Sequence, residues 1–203
     1  MKNILIVFSG KAQSGKSTSA NTLKQIIEKQ YSDISVEIYS FATAIKEMAR
    51  TYFGWDGNKE LFFPTIDHKT GEDVEVFYKD QEPIRDKGRA LLINIGQQMR
   101  WIRPTIWVDY VMKQINLRNA VKKENIVFVI DDMRFANEDV IAKKFPNCYS
   151  VRMSRNSQLD LKDISEVDLD KGVFDFYIEN NGAVDELKYK LEEIWLKIVT
   201  KTN

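Results

Sequence analysis

Two kinds of apolar spacing alternate along the chain. Ile4 to Phe8 is an unbroken run of aliphatic and aromatic residues bounded by Ser9-Gly10, which reads as a strand buried on both faces and so as part of a parallel sheet. From Ser17 the period lengthens: Leu23, Ile26 and Ile27 share one helical face, and the pattern ends near Tyr31. The same order returns with a strand over Val36 to Phe41 and a helix carrying Ala44, Ile45, Met48, Ala49 and Tyr52, broken at Gly54. Leu91, Leu92, Ile95 and Met99 then recur at helical spacing, with Arg89 and Arg100 on a neighbouring face. Pro104 precedes another helix, with Trp107, Val108, Val111, Met112 and Ile115 inward. Ile126 to Ile130 is the clearest buried strand and ends in Asp131-Asp132-Met133-Arg134, after which Asn137 offers a cap and Glu138 and Asp139 offer first-turn carboxylates to a helix. Tyr149 to Met153 and Phe174 to Ile178 are the last strands, and Asn180-Asn181-Gly182 turns the chain into a helix with Leu187, Leu191, Ile194, Trp195 and Ile198 inward.

Strands and helices in this alternation imply an α/β fold of three layers, α/β/α, around a mostly parallel sheet. Trp55 to Lys87 departs from it: the segment has no sustained period, contains Pro64, Gly71 and Pro83, and carries a hairpin signal around Lys69-Thr70-Gly71. Residues 54–104 are therefore assigned to a lobe inserted in a single domain spanning 1–203, and the polar, acidic stretch 154–172 to a lid-like segment.

Charge narrows the range of partners. Thirty basic residues balance thirty acidic ones, so no overall field draws the molecule to nucleic acid or to an anionic membrane, and any anion must be captured locally. No apolar run approaches the ~20 residues that span a bilayer, and Met1-Lys2-Asn3 leads straight into the first strand, so a cytoplasmic location is expected. The single cysteine, Cys148, excludes an internal disulfide and reads as a packed small residue, while His68 has no companion for a zinc site and reads as a surface residue.

The candidate chemistry lies at the first strand-to-helix junction. Gly10-Lys11-Ala12-Gln13-Ser14-Gly15-Lys16-Ser17 is a complete Gly-x4-Gly-Lys-Ser motif between a buried strand and a helix, the context in which it forms a phosphate-binding loop, or P-loop. Gly10 and Gly15 let the backbone wrap closely, so that the amides around Ala12, Gln13 and Ser14 turn inward. Lys16 is expected to reach the β- and γ-phosphates of ATP, Ser17 to ligate Mg²⁺ and Thr18 to support the α-phosphate. There is no Thr-Lys-x-Asp guanine-reading motif, no long basic face and little chain beyond one domain to couple hydrolysis to motion, which leaves small-molecule phosphoryl transfer as the leading class. Asp131 and Asp132 end a buried strand on the side where ligand crevices form in such sheets. Asp132 is preferred as the metal-orienting or acceptor-orienting carboxylate, and Arg134 as a phosphate-neutralising group; an acidic turn with a surface arginine is the plain alternative. Arg152 and Arg155 open the polar stretch and are expected to clamp ATP phosphates, with salt bridges to Asp160 or Asp163 as the other reading.

One ordered set of segments is more specific. The P-loop, Ser40-Phe41-Ala42 with Lys46 downstream, Arg89-Ala90-Leu91-Leu92, Ile95-Gly96 through Arg100, Ile106-Trp107-Val108, Asp132-Met133-Arg134-Phe135-Ala136-Asn137-Glu138 and Ile178-Glu179-Asn180-Asn181-Gly182 together resemble the phage-type deoxynucleoside monophosphate kinase family over nearly the whole chain. The Asp-x-Arg-Phe-x-Asn-Glu and Ile-Trp-Val stretches discriminate; the Ile-Glu-Asn-Asn-Gly ending resembles many P-loop kinases. The resemblance implies a homodimeric enzyme that moves the γ-phosphate of ATP to a deoxynucleoside monophosphate with Mg²⁺, in a host cytoplasm if phage-encoded, without direct contact with nucleic acid or membrane. It also implies that Lys46, Arg89 and Arg100 hold the acceptor phosphate. Phe41, Trp101 and Trp107 are candidates for stacking on the base. Without the resemblance the basic groups are solvated helix faces and the aromatics, Trp107 above all, are core. Two rival readings share the P-loop: another small-molecule kinase, of the dephospho-coenzyme A or phosphomevalonate type, and an ATP-dependent binding module of a DNA replication complex, against which the even charge balance speaks.

Overall fold

The computed structural model describes residues 2–55, 64–66, 73–75, 87–121, 125–156 and 168–202. In chain order its elements are β1 (Ile4–Gly10), α1 (Lys16–Gln30), β2 (Ile34–Tyr39), α2 (Phe41–Phe53), β3 (Pro64–Ile66), β4 (Asp73–Glu75), α3 (Lys87–Ile102), α4 (Ile106–Val121), β5 (Asn125–Met133), α5 (Ala136–Ala142), β6 (Cys148–Ser154), β7 (Phe176–Glu179) and α6 (Val184–Thr202). They divide into two compact units, one of residues Met1–Phe41 with Trp107–Asn203 and one of Ala42–Ile106.

The first unit is built on a five-stranded sheet in the order β2-β5-β1-β6-β7, with every neighbouring pair parallel. All seven residues of β1 are buried, as its unbroken apolar run requires of a central strand with both faces covered. The pleat sends Ile4, Ile6 and Phe8 to one face. There they join Val127, Val129, Val151 and Met153 of the neighbouring strands, Leu23 and Ile27 of α1, and Leu191, Trp195 and Ile198 of α6 in one apolar cluster. Tyr31, just past α1, packs edge-on against Trp195 at 6.0 Å. On the opposite face Phe128 meets Phe145 edge-on at 5.8 Å, and α4 buries Trp107, Val108, Val111, Met112 and Ile115. Arg118 of α4 is ion-paired with Glu37 of β2, its Nε donating to Oε1 at 2.6 Å. The expected three-layer α/β/α architecture is the observed one.

Two local boundaries differ from the sequence reading. The second strand stops at Tyr39, and Phe41 opens α2 rather than closing the strand. Before α5, no Asn137 cap forms: the helix starts at Ala136, and Glu138 reaches back to accept the backbone N–H groups of Arg134 at 2.8 Å and Phe135 at 3.0 Å. A carboxylate that spans two exposed amides at a positive helix end satisfies more of them than the short Asn side chain can.

In the second unit β3 and β4 form an antiparallel pair, Pro64 opposite Glu75 and Ile66 opposite Asp73. The turn expected at Lys69-Thr70-Gly71 between them lies outside the described residues. Gly96 of α3 is a close-approach position, since a Cβ there would stand 3.3 Å from Cδ1 of Ile45 on α2. Arg50 lies over the Trp55 ring at 5.2 Å.

Candidate P-loop site

The loop between β1 and α1 is held in a conformation that two glycines make possible. Gly15 has φ 97° and Gly10 φ 153°, both outside what side chains readily adopt. A Cβ on Gly10 would sit 2.5 Å from the Met153 carbonyl oxygen, and one on Gly15 would fall on Nδ2 of Asn180. That Asn180, at the end of β7, is buried, and it donates to the Ser14 carbonyl at 3.0 Å. The loop is thus clasped from β6 and β7. Sequence places Asn180 in a turn signal and in the ending that resembles many P-loop kinases but gives it no role at the loop, because its bond joins residues far apart in the chain and leaves no local pattern.

Inside the loop Lys16 is nearly enclosed, and its ammonium donates to the carbonyls of Gly10 at 2.6 Å and Lys11 at 2.7 Å. The Ser14 amide turns back to the Lys11 carbonyl at 3.2 Å. The Ser14 hydroxyl oxygen is buried and has no hydrogen-bond partner among the described residues. Ser17 and Thr18 lie exposed in the first turn of α1, which carries no acidic residue to offset its positive end. A tight loop closed to side chains, an unsatisfied buried hydroxyl, an ammonium resting on carbonyl oxygens and an uncompensated helix N-terminus form a place suited to a polyphosphate. Among the described residues no group of three or more His, Cys, Asp or Glu could hold a metal ion. The exposed Ser17 hydroxyl is an oxygen donor of the kind that suits Mg²⁺.

Arg152 lies within β6, opposite Ser9 of β1, so of the two arginines expected to open the polar stretch only Arg155 stands beyond the strand. The Arg152 guanidinium donates to the Ser9 hydroxyl at 2.9 Å and to Asp170 at 2.5 Å, and it rests over the Phe174 ring at 5.5 Å. The ion-pair partner is Asp170, in a turn over 168–171, which also pairs with Lys11 at 3.5 Å. Asp160 and Asp163, the partners weighed from sequence, lie outside the described residues, as does all of 157–167. Arg155 is exposed just beyond β6.

At the end of β5 the Asp132 carboxylate is doubly engaged: Oδ2 accepts the Ser40 hydroxyl at 2.6 Å and Oδ1 the Phe41 amide at 2.7 Å. It anchors the β2–α2 junction, a part that sequence did not suggest. Arg134 follows half-buried. Phe41 is itself 2% exposed, so its ring packs in the core and offers no face for a base; the stacking role expected of it is withdrawn. In the second unit Lys46 is exposed on α2, Arg100 is half-buried on α3, and Trp101 beside it is 84% exposed, a large aromatic face open for contact. Arg89 belongs to α3, and its side chain lies outside the described residues. Trp107 is core. Cys148 is packed as expected, and burial first, then the nearby Asp139 and Asp175 carboxylates, push its thiol up from the ordinary 9.0 to about 12, which excludes a thiolate nucleophile at neutral pH. His68 is outside the described residues.

Fold and loop define a three-layer α/β/α protein with a P-loop at the end of its central strand. No protein-family model matches the chain, and no curated protein matches it in sequence. Among solved structures it is similar to a Mycobacterium tuberculosis APS kinase at 10% identity and TM-score 0.45, over 96% of this chain and 99% of that one. It is also similar to a shikimate kinase from Acinetobacter baumannii at 11% identity and TM-score 0.47, over 98% and 94%, and to a thymidylate kinase from Ehrlichia chaffeensis at 10% and 0.43, over 96% and 100%.

Proposed function

We propose that this protein is an ATP-dependent phosphotransferase acting on a deoxynucleoside monophosphate. The observation that carries the reading is the P-loop clasped by Asn180 and Met153, with Lys16 held inside it. Lys16 exchanges its two carbonyl partners for β- and γ-phosphate oxygens, and the Gly15-to-Thr18 end of α1 presents backbone amides to the same group. Ser17 would hold the Mg²⁺ that accompanies ATP, which would supply positive charge to the phosphate oxygens. Arg152, fixed against Ser9, offers a planar pair of donors beside the loop, and Arg134 and Arg155 add positive charge for the transferring group. Asp132 secures Ser40 and Phe41, and it is the carboxylate that would serve the metal or the acceptor. For the acceptor, the resemblance to the phage-type family supports Lys46, Arg89 and Arg100 at its phosphate, and the exposure of Trp101 supports stacking on its base. A homodimer is the form that resemblance favours.

The test is an ADP-release screen with Mg²⁺-ATP against the common ribo- and deoxyribonucleoside monophosphates, with Lys16→Ala as the blank. We expect turnover with at least one deoxynucleoside monophosphate and a loss of about 100-fold or more in the variant, the scale of removing a donor aimed at developing charge. With dephospho-coenzyme A and phosphomevalonate added to the screen, turnover confined to either of these would reassign the acceptor. Undiminished turnover in Lys16→Ala would overturn the P-loop reading.

A further inference from the structure

Asp170 has no part in the phosphotransfer chemistry above, yet among the described residues it joins both cations flanking the loop. Its carboxylate meets Lys11 of the P-loop at 3.5 Å and Arg152 of β6 at 2.5 Å. We propose that Asp170 is a built-in counter-anion of the phosphate site, which offsets part of the positive charge of Lys11 and Arg152 and is exchanged for phosphate oxygens when a nucleotide enters. The proposal rests on the P-loop reading.

Three observations carry it. Arg152 is 16% exposed at its side chain, and a guanidinium so far removed from water needs a counter-charge. The Ser9 hydroxyl and the Phe174 ring are neutral and cannot supply one. Secondly, Asp170 is not needed to aim Arg152: the strand register opposite Ser9, the Ser9 bond and the ring beneath already fix its direction. What Asp170 adds is negative charge beside an anion site, and that charge opposes an incoming phosphate. Thirdly, the turn that carries it is secured without it. Leu169 is buried, the Gly172 amide donates to the Leu169 carbonyl at 3.0 Å, and Asp168 accepts the Ala136 amide at 2.7 Å. Asp170 itself is 39% exposed and its Lys11 partner 49%, so the carboxylate is free to turn to water when a polyphosphate of higher charge takes both cations.

A group that positions Arg152 and a group that competes with phosphate respond oppositely to neutralisation. Binding of ATP and of inorganic triphosphate is measured by calorimetry at low and high salt for the wild type, Asp170→Asn, Asp170→Ser and Asp170→Glu, each checked for an unchanged thermal melt. We expect Asp170→Asn and Asp170→Ser to bind both ligands about fivefold more tightly at low salt, the worth of one partly exposed ion pair, with the gain shrinking at high salt. Asp170→Glu, which keeps the charge, should return to wild-type affinity. Equal or weaker binding by both neutral variants overturns the counter-anion. Failure of the wild type to bind ATP, with Lys16→Ala no different, overturns the P-loop reading as well, so the two failures are distinct.

Discussion

Gly15 and Asn180 meet at the point where the loop becomes a helix, and the pair separates two reasons for a glycine. The backbone there has φ 97°, which strains any side chain by about 1–3 kcal/mol. A Cβ would in addition fall on the Asn180 amide nitrogen. Gly15→Ala is therefore expected to lose both stability and ATP affinity. Asn180→Ala removes the bond to the Ser14 carbonyl at a cost of about 1–2 kcal/mol, but it also clears the space a Cβ at position 15 needs. In a double-mutant cycle measured by denaturant melts, the combined variant should be less destabilised than the two singles predict, by about 1 kcal/mol. Strict additivity would mean that the backbone angle alone demands the glycine. The glycines and Lys16 were legible in the sequence because their spacing is local. Asn180, Ser9 and Asp170 were not: Asn180 meets Ser14, Ser9 meets Arg152 and Asp170 meets Lys11 across more than a hundred residues, and each stands in a stretch where Asn, Ser and Asp have ordinary turn or surface readings.

At the scale of elements, the junction of β2 and α2 depends on a residue from β5. Asp132 accepts from Ser40 and from the first amide of α2, a negative charge at a helix N-terminus and a partner for one of its exposed donors. Asp132→Ala removes both bonds and leaves the Phe41 amide, at a buried residue, without that acceptor. A loss of about 1–3 kcal/mol is expected, seen as a melting temperature lower by roughly 2–4 °C for each kcal/mol in a chain of this size. Ser40→Ala removes one bond and should shift the melt by less than half as much. A melt unchanged in Asp132→Ala would mean that the carboxylate serves only the site. This junction also explains the misplaced boundary: Phe41 continues the apolar run of the strand, and nothing local reveals that a distant carboxylate holds its amide in a helix. Arg152 is the converse case: it stands between Val151 and Met153 in a legible strand, and only the pairing with β1 shows that its guanidinium meets Ser9.

For the whole molecule, the architecture was readable because β1 and the body of β5 are apolar runs, the helices show apolar spacing, and the connections between parallel strands admit few arrangements. The second unit was less readable, since its β3 and β4 are three residues each, too short for alternation to register. The position of β1 has a consequence for how the chain reaches this state. The strand that carries the loop is made before the other strands of its sheet, and both its neighbours, β5 at Asn125–Met133 and β6 at Cys148–Ser154, follow only after the second unit and α4. A nascent chain therefore emerges with its most apolar strand unpaired, and loop closure of this length disfavours early pairing. Ribosome-stalled chains with β1 exposed but β5 still in the exit tunnel should be cut by protease near Ile4–Gly10, and those stalled with β6 fully emerged should resist. Protection in the shorter chains would show that the strand finds shelter before its neighbours exist. Until they do, the phosphate loop has no scaffold, and the interval is one in which an unpaired apolar edge is open to aggregation or to a chaperone.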